Sequence, residues 1–274
     1  MSDDRGRRSR RRFTQLAVVS LAMLVAIGAV VAATHREHAA AARAGAGSAA
    51  GDQQVGGLAS RPTLLVVGDS FAGGTGNPDF DVYPDDLASA MGWNVRVDAQ
   101  GGTGFVNSGQ TITAATTPST SATAKPPTQQ TFPLIDRLDG DRKRYSVDYV
   151  LVDAGRNDLG IDPAQVAAAI TTYFDRLQSL FPTARKAIVI PSYVTLDPAD
   201  NYPYIRDALL STAAKIHADV MDPVAEGWYR GVDLPSMLGP DGIHFNGPGN
   251  EFYARKIGDR LRQFGYPEGE GGAG

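Results

Sequence analysis

The sequence predicts an α/β fold in which a parallel sheet is covered by helices on both faces. Three observations predict it. Short apolar runs recur at Thr63–Val67, Tyr149–Asp153 and Lys186–Ile190. They lack the polar alternation of a half-exposed strand, which marks strands buried on both faces. Amphipathic stretches of helical period separate these runs. The two kinds alternate along the chain, as in βαβ units.

The chain starts with a different character. Arg5 to Arg12 form a basic cluster, and Leu16–Ala33 then run eighteen residues without a charge. A basic segment followed by an apolar core predicts an export signal, and the core is just long enough for a membrane anchor. Cleavage after the small residues at Val31–Ala33 or Ala39–Ala41, or retention as a tether, are both open. Ser9–Phe13 also resembles a twin-arginine export signal. The arginines stay cytoplasmic, so the expectation for residues 1–36 is an export signal or membrane anchor, with the rest extracytoplasmic. Residues 37–61, mostly Ala, Gly and polar side chains, predict a flexible linker. The folded domain is expected over residues 62–268, with a Gly-rich tail at 269–274.

Charge and composition narrow the function classes. The net charge is −4, but residues 1–36 hold seven arginines and two aspartates, leaving 19 basic against 28 acidic residues beyond them, a net of −9. So acidic a body argues against a nucleic-acid partner, which needs basic patches. The chain has no cysteine, which excludes a thiolate nucleophile, a thiolate metal site and disulfides.

Within the domain, Thr63–Val67 is the first strand. Pro84–Met91 is a helix with proline at its start, and Asn94–Asp98 a short strand. Ser108–Thr131, rich in Thr, Ser, Ala, Pro and Gln, is too poor in large apolar side chains to be core. It predicts a polar surface insertion, with a flap beside the loop it follows as the alternative. Tyr149–Asp153 is the second buried strand. Pro163–Leu180 is an amphipathic helix on Val166, Ile170, Tyr173, Phe174 and Leu177. Lys186–Ile190 is a strand, Tyr204–His217 a helix, Asp219–Met221 a strand and Gly249–Phe264 the closing helix.

Polar clusters follow the strands. Thr63–Val67 runs into Gly68-Asp69-Ser70. Asn94–Asp98 is followed by Gly101-Gly102-Thr103-Gly104, and Tyr149–Asp153 by Gly155-Arg156-Asn157-Asp158. Late in the chain stands Asp241-Gly242-Ile243-His244. Of four histidines, His35 and His38 lie in the linker and His217 at a helix end; His244 alone has an aspartate three residues before it. A serine nucleophile needs a base of near-neutral pKa, and that base needs a carboxylate to fix its tautomer. Ser70, His244 and Asp241 supply these three roles. An oxyanion needs donors, for which the Ser70 N–H, a glycine N–H within Gly101–Gly104 and the Asn157 amide are candidates. Asp158 is either the cap of the Pro163 helix or a support of its own loop.

These four blocks, in this order and each at a strand end or late loop, resemble the SGNH, or GDSL-like, hydrolase superfamily. The resemblance spans about residues 62–266. It implies a three-layer α/β/α sandwich of flavodoxin-like topology. It also implies Ser70 as nucleophile, His244 as base, Asp241 as its acid partner, and the Ser70 N–H, Gly102 and Asn157 as the oxyanion hole, without metal or cofactor. The sequence departs from the family name in Phe71, where the name has leucine, and its Gly-Gly-Thr-Gly block leaves Gly101 and Gly104 as rivals of Gly102. The expected activity is a serine esterase acting on a small ester, a lipid or an acylated glycan. Acyl transfer to, or deacetylation of, an envelope glycan or glycolipid is an alternative, as is a non-catalytic glycan-binding module. Tyr83, Trp93, Tyr193, Tyr202, Tyr204, Trp228, Tyr229 and Phe245 are aromatic residues placed to line a site or to pack. Phe245, beside His244, is the expected pocket wall.

Overall fold

The computed structural model describes residues 61–75, 82–109, 130–192 and 203–269. The chain divides into two units, Met1–Asp52 and Gln53–Gly274, and every described residue lies in the second. The expected signal or anchor, the linker up to residue 60, insertion residues 110–129, the tail beyond 269, and Tyr193 and Tyr202 lie outside the described residues.

Five strands form one sheet: β1 (Thr63–Gly68), β2 (Asn94–Ala99), β3 (Tyr149–Asp153), β4 (Arg185–Val189) and β5 (Asp219–Met221). All pairings are parallel, and the spatial order is β2-β1-β3-β4-β5. Parallel neighbours need long crossovers, which helices supply. They are α1 (Tyr83–Met91), α2 (Leu134–Arg144), α3 (Pro163–Leu180) and α4 (Pro203–Ile216), with α5 (Gly247–Gln263) closing the domain.

Strand periodicity divides the core into two layers. Leu65, Val67, Val150, Val152 and Ile188 pack with Leu138, Phe174 and Leu209, so α2, α3 and α4 cover one face. Leu64, Val66, Leu151, Ala187 and Val189 pack with Leu87, Tyr253 and Ile257, so α1 and α5 cover the other. The expected three-layer α/β/α sandwich is the result. In this strand order the chain reverses direction between β1 and β3, and loops leaving those two strands diverge to open a crevice at their carboxyl ends.

Most elements fall within two residues of their expected bounds. The exception is α2, which no local pattern in the sequence marks. Its buried face is Leu134, Arg137, Leu138 and Asp141, so two charged residues occupy positions where an apolar stripe would have marked a helix. Gly140 weakens the helical signal further. Pro163 at the start of α3 is capped by Asp162, whose carboxylate accepts from the Gln165 N–H at 3.0 Å. Asp158 is therefore not the cap.

Leu138 is fully buried between α2 and the sheet. Leu138→Ala is expected to cost about 2–5 kcal/mol. Urea denaturation measures it; a cost within about 0.5 kcal/mol, as at an exposed position, is the opposite outcome.

Candidate active site

Gly68 ends β1 with no room for a side chain: a Cβ there would lie 2.6 Å from the Ala72 Cβ and 3.0 Å from the Asp153 carbonyl. The chain turns at once, with Gly73 N–H donating to the Asp69 carbonyl at 3.1 Å and Thr75 N–H to the Ser70 carbonyl at 3.0 Å. This turn lifts Ser70 to the rim of the sheet, partly exposed, while Asp69 points down and is fully buried.

On the late loop, Asp241 Oδ1 accepts from the N–H groups of Ile243 at 2.9 Å and His244 at 3.0 Å. Gly242 supplies the positive φ, 66°, that this tight turn requires. The folded-back carboxylate reaches the ring: Asp241 Oδ2 lies 2.7 Å from His244 Nδ1. Burial alone would raise the Asp241 pKa, but the bonds from the His244 ring and from the Ile243 and His244 N–H groups hold it below the ordinary carboxylate range. An ionised carboxylate only accepts, so Nδ1 carries the proton and Nε2 presents its lone pair. Nε2 lies 2.8 Å from Ser70 Oγ. The structure thus brings Ser70, His244 and Asp241 into one hydrogen-bonded row able to move a proton from the serine to the imidazole.

The two other loops are tied together beside Ser70. Asn157 Nδ2 donates to the Thr103 carbonyl at 2.9 Å, and Asn107 Nδ2 to the Asn157 carbonyl at 2.9 Å. Asp158 accepts from three consecutive N–H groups, those of Phe105, Val106 and Asn107, at 2.7, 3.1 and 2.9 Å. Burial pushes its carboxyl up, and these three bonds pull it down without cancelling that rise. Of its two expected roles, Asp158 takes loop support. Tyr204 braces the same loop, its hydroxyl donating to the Asp158 carbonyl at 3.1 Å.

The glycines sort by these contacts. A Cβ at Gly104 would stand 2.4 Å from the Asp158 carboxylate, and the Gly104 N–H is spent on the Asn107 carbonyl at 2.8 Å. Gly104 makes room for the clasp and has no hydrogen left for an oxyanion. Gly102 has a φ of 76°, and its N–H, like that of Ser70, donates to none of the described residues.

Beneath Ser70 lies an ionic network that the sequence reading missed. β1 and β3 pair with Gly68 opposite Asp153, which buries Asp69 and Asp153 beside each other. Arg156, also buried, lies between them, with Nη2 2.7 Å from Asp153 Oδ1 and Nη1 3.4 Å from Asp69 Oδ2. Burial pushes the Asp69 carboxyl up against the pull of this guanidinium. Tyr83 and Tyr253 hydroxyls donate to Asp153 Oδ2 at 3.0 and 3.3 Å. The guanidinium carbon also sits 4.2 Å from the centre of the Phe71 ring, which lies 4.9 Å from the His244 ring. Phe71 therefore links Arg156 to the imidazole. A signal was present in the sequence: two acidic residues, each closing an apolar strand, require a buried cation.

Phe245 differs from its expected place at the pocket wall. Its ring is 3% exposed and packs 5.2 Å from Tyr253 and 5.7 Å from Phe71. It supports the row from behind, because the strand-like bridge of Phe245 to Leu238 turns it inward. Tyr83, Trp93 and Trp228 are likewise core residues, and burial raises the Tyr229 hydroxyl to about 12.

Residues 66–252 match the model of the GDSL-like lipase/acylhydrolase family. A GDSL lipase of Mycobacterium tuberculosis is 34% identical over 111 residues, which are 39% of this chain and 47% of that protein. The chain thus matches about half the length of that relative. The psychrotrophic esterase EstA from a Pseudoalteromonas species superposes with a TM-score of 0.52 at 14% identity, over 74% of this chain and 98% of its own. The lipase/acylhydrolase from Enterococcus faecalis superposes with a TM-score of 0.51 at 19% identity, over 76% and 98%. Likeness at these identities is likeness of fold.

Removing the cation from the buried network leaves Asp69 and Asp153 without their counter-charge. Arg156→Met is expected to destabilise the domain by about 3–5 kcal/mol, read from urea denaturation at neutral pH. A loss below about 1 kcal/mol, as for an exposed pair, is the result against it.

Proposed function

The chain belongs to the GDSL-like lipase/acylhydrolase family, and from that premise we propose that it is a serine esterase acting through an acyl-enzyme on Ser70. The observation that carries this reading is the row from Asp241 through His244 to Ser70, with contacts of 2.7 and 2.8 Å. Ser70 Oγ attacks the carbonyl carbon of an ester while His244 Nε2 takes its proton. The tetrahedral oxygen gathers negative charge and is held by the N–H groups of Ser70 and Gly102 and by the Asn157 amide. Asn157 Nδ2 has two hydrogens, and its bond to Thr103 uses one. The carbon–oxygen bond to the alcohol then breaks, and His244 returns the proton to the departing oxygen. Water attacks the acyl-enzyme by the same route, with His244 as base, and releases the acid.

The family reading extends to an ester on a lipid or an acylated glycan. The basic cluster Arg5–Arg12 ahead of the apolar segment 16–33 supports an exported or membrane-tethered domain, with substrate outside the membrane. Among the described residues no helix is long and apolar enough to cross a membrane. Mass spectrometry of the mature protein from its host checks this: peptides from Met1–Arg12 in the membrane fraction mean a tether, their loss from an external fraction means cleavage, and a full-length cytosolic protein overturns the export reading.

Ser70→Ala is expected to abolish hydrolysis of short-chain nitrophenyl esters and labelling by a fluorophosphonate. Full turnover by that variant overturns the assignment. Asn157→Ala is expected to lower kcat by about 10²–10³. An unchanged kcat in Asn157→Ala removes the amide from the oxyanion hole.

A further inference from the structure

A second buried charge cluster lies on the other side of the nucleophile turn, where α2 meets the ends of β1 and β2. Arg137 reaches from α2 to both strands. Its Nη1 donates to Asp98 Oδ1 at 3.2 Å and to the Asp98 carbonyl at 3.4 Å, and its Nη2 donates to the Gly68 carbonyl at 3.3 Å. Gly68 is the last residue of β1, two before Ser70. Asp141, one turn further along α2, is fully buried and accepts from Arg144 Nη2 at 2.9 Å through Oδ1.

The cluster holds four buried polar atoms with no hydrogen-bond partner: Asp98 Oδ2, Asp141 Oδ2, Arg137 Nε and the Tyr173 hydroxyl. Buried polar groups are rarely left so, and four in one place call for a physical account. The Asp98 and Asp141 carboxyls face each other within hydrogen-bond reach. Two carboxylates both accept, so a bond between them needs a proton on one. A single shared proton gives both Oδ2 atoms a partner and leaves one buried negative charge opposite Arg137.

We propose that Asp98 and Asp141 share one proton, and that this proton keeps Arg137 on the Gly68 carbonyl, so that the three are positioning residues for Ser70. The inference rests on the reading of Ser70 as nucleophile. The groups facing Asp141 are Asp98 from β2, and Arg137 and Arg144 from its own helix; Tyr173 from α3 faces the same charges. Burial, then the charge of Asp98 and the bond to it, raise the Asp141 carboxyl to about 7 against the pull of the two arginines. When the proton leaves to solvent, a second buried anion appears beside Asp98. The guanidinium, with Nε unsatisfied, is drawn toward Asp141 and gives up its bond to Gly68. The turn that sets the 2.8 Å contact of Ser70 with His244 loosens.

The sign follows. The folded state holds this proton more tightly than the unfolded chain, in which Asp141 titrates near 3.8. Its contribution to stability is complete below that value and is lost as pH rises to about 7. Turnover should fall on the same rise, on top of the ordinary requirement that His244 be neutral.

The test is Asp141→Asn, whose amide donates to Asp98 at every pH. The kcat of nitrophenyl ester hydrolysis between pH 5 and 9 is compared with that of the parent enzyme. In Ser70→Ala, ¹³C-labelled aspartate carboxyls are titrated by NMR with and without Asp141→Asn. Expected are a several-fold fall in parent kcat on the alkaline side of about 7 that Asp141→Asn lacks, and a buried carboxyl titrating there that the variant removes. Arg137→Lys, which keeps the charge but not the fork, should lower kcat with KM unchanged. Superimposed kcat profiles, or no carboxyl titrating in that range, overturn the proposal. An active Ser70→Ala overturns the reading of Ser70 and the positioning role with it, while the NMR titration reports on the shared proton alone.

Discussion

Two carboxylates at the ends of adjacent parallel strands are the constraint on which the domain's working end depends. Asp69 and Asp153 are fully buried, and an ionised carboxylate out of water costs several kcal/mol unless it is paired. Arg156 serves both with one planar fork, and two tyrosine hydroxyls donate to Asp153 Oδ2. Such a network contributes little net stability over apolar packing, yet it is very costly to break in part. What it supplies is position. Asp69 and Phe71 flank Ser70 in the chain and both touch Arg156, so the backbone on either side of the serine is pinned from below.

The sheet decides where such a pinned turn is useful. β1 and β3 are the strands at which the chain reverses direction, and the loops leaving them carry Ser70 and Asn157. A third loop, after β2, carries Gly102. These loops are not free rims. Asp158 grips three N–H groups of the Gly102 loop, and Asn157 grips one of its carbonyls. On the proposed reading, donors fixed in this way cost little reorganisation as charge develops between them. The shape of the Gly102 loop is therefore set by side chains of its neighbour, Asp158 above all.

Legibility in the sequence followed the range of the interactions. The strands β3 and β5 and the helix α3 were readable to the residue, because strand burial and an amphipathic stripe are local patterns. That Ser70, Asp241 and His244 meet was foreshadowed by four short motifs in one order, none of them specific alone. The helix α2 was not, since Arg137 and Asp141 occupy its buried face, and the partners of Arg137, Asp98 and Gly68, lie far off in the chain. Arg156 was passed over for the same reason: its partners are set by the register of β1 on β3, which no short window contains. Phe245 was misplaced because adjacency to His244 says nothing of which way the next side chain points.

Asp241 and His244 share one four-residue turn, so the imidazole is oriented by its own turn. Only one long-range distance then has to be right, that between His244 and Ser70, 174 residues earlier. The turn runs directly into α5, capped by Asn246, and α5 lies against α1 in the core layer. The placing of the His244 ring is thus tied to the packing of the last helix. A chain lacking that helix still carries Asp241 and His244 but loses the element that holds their turn against the core.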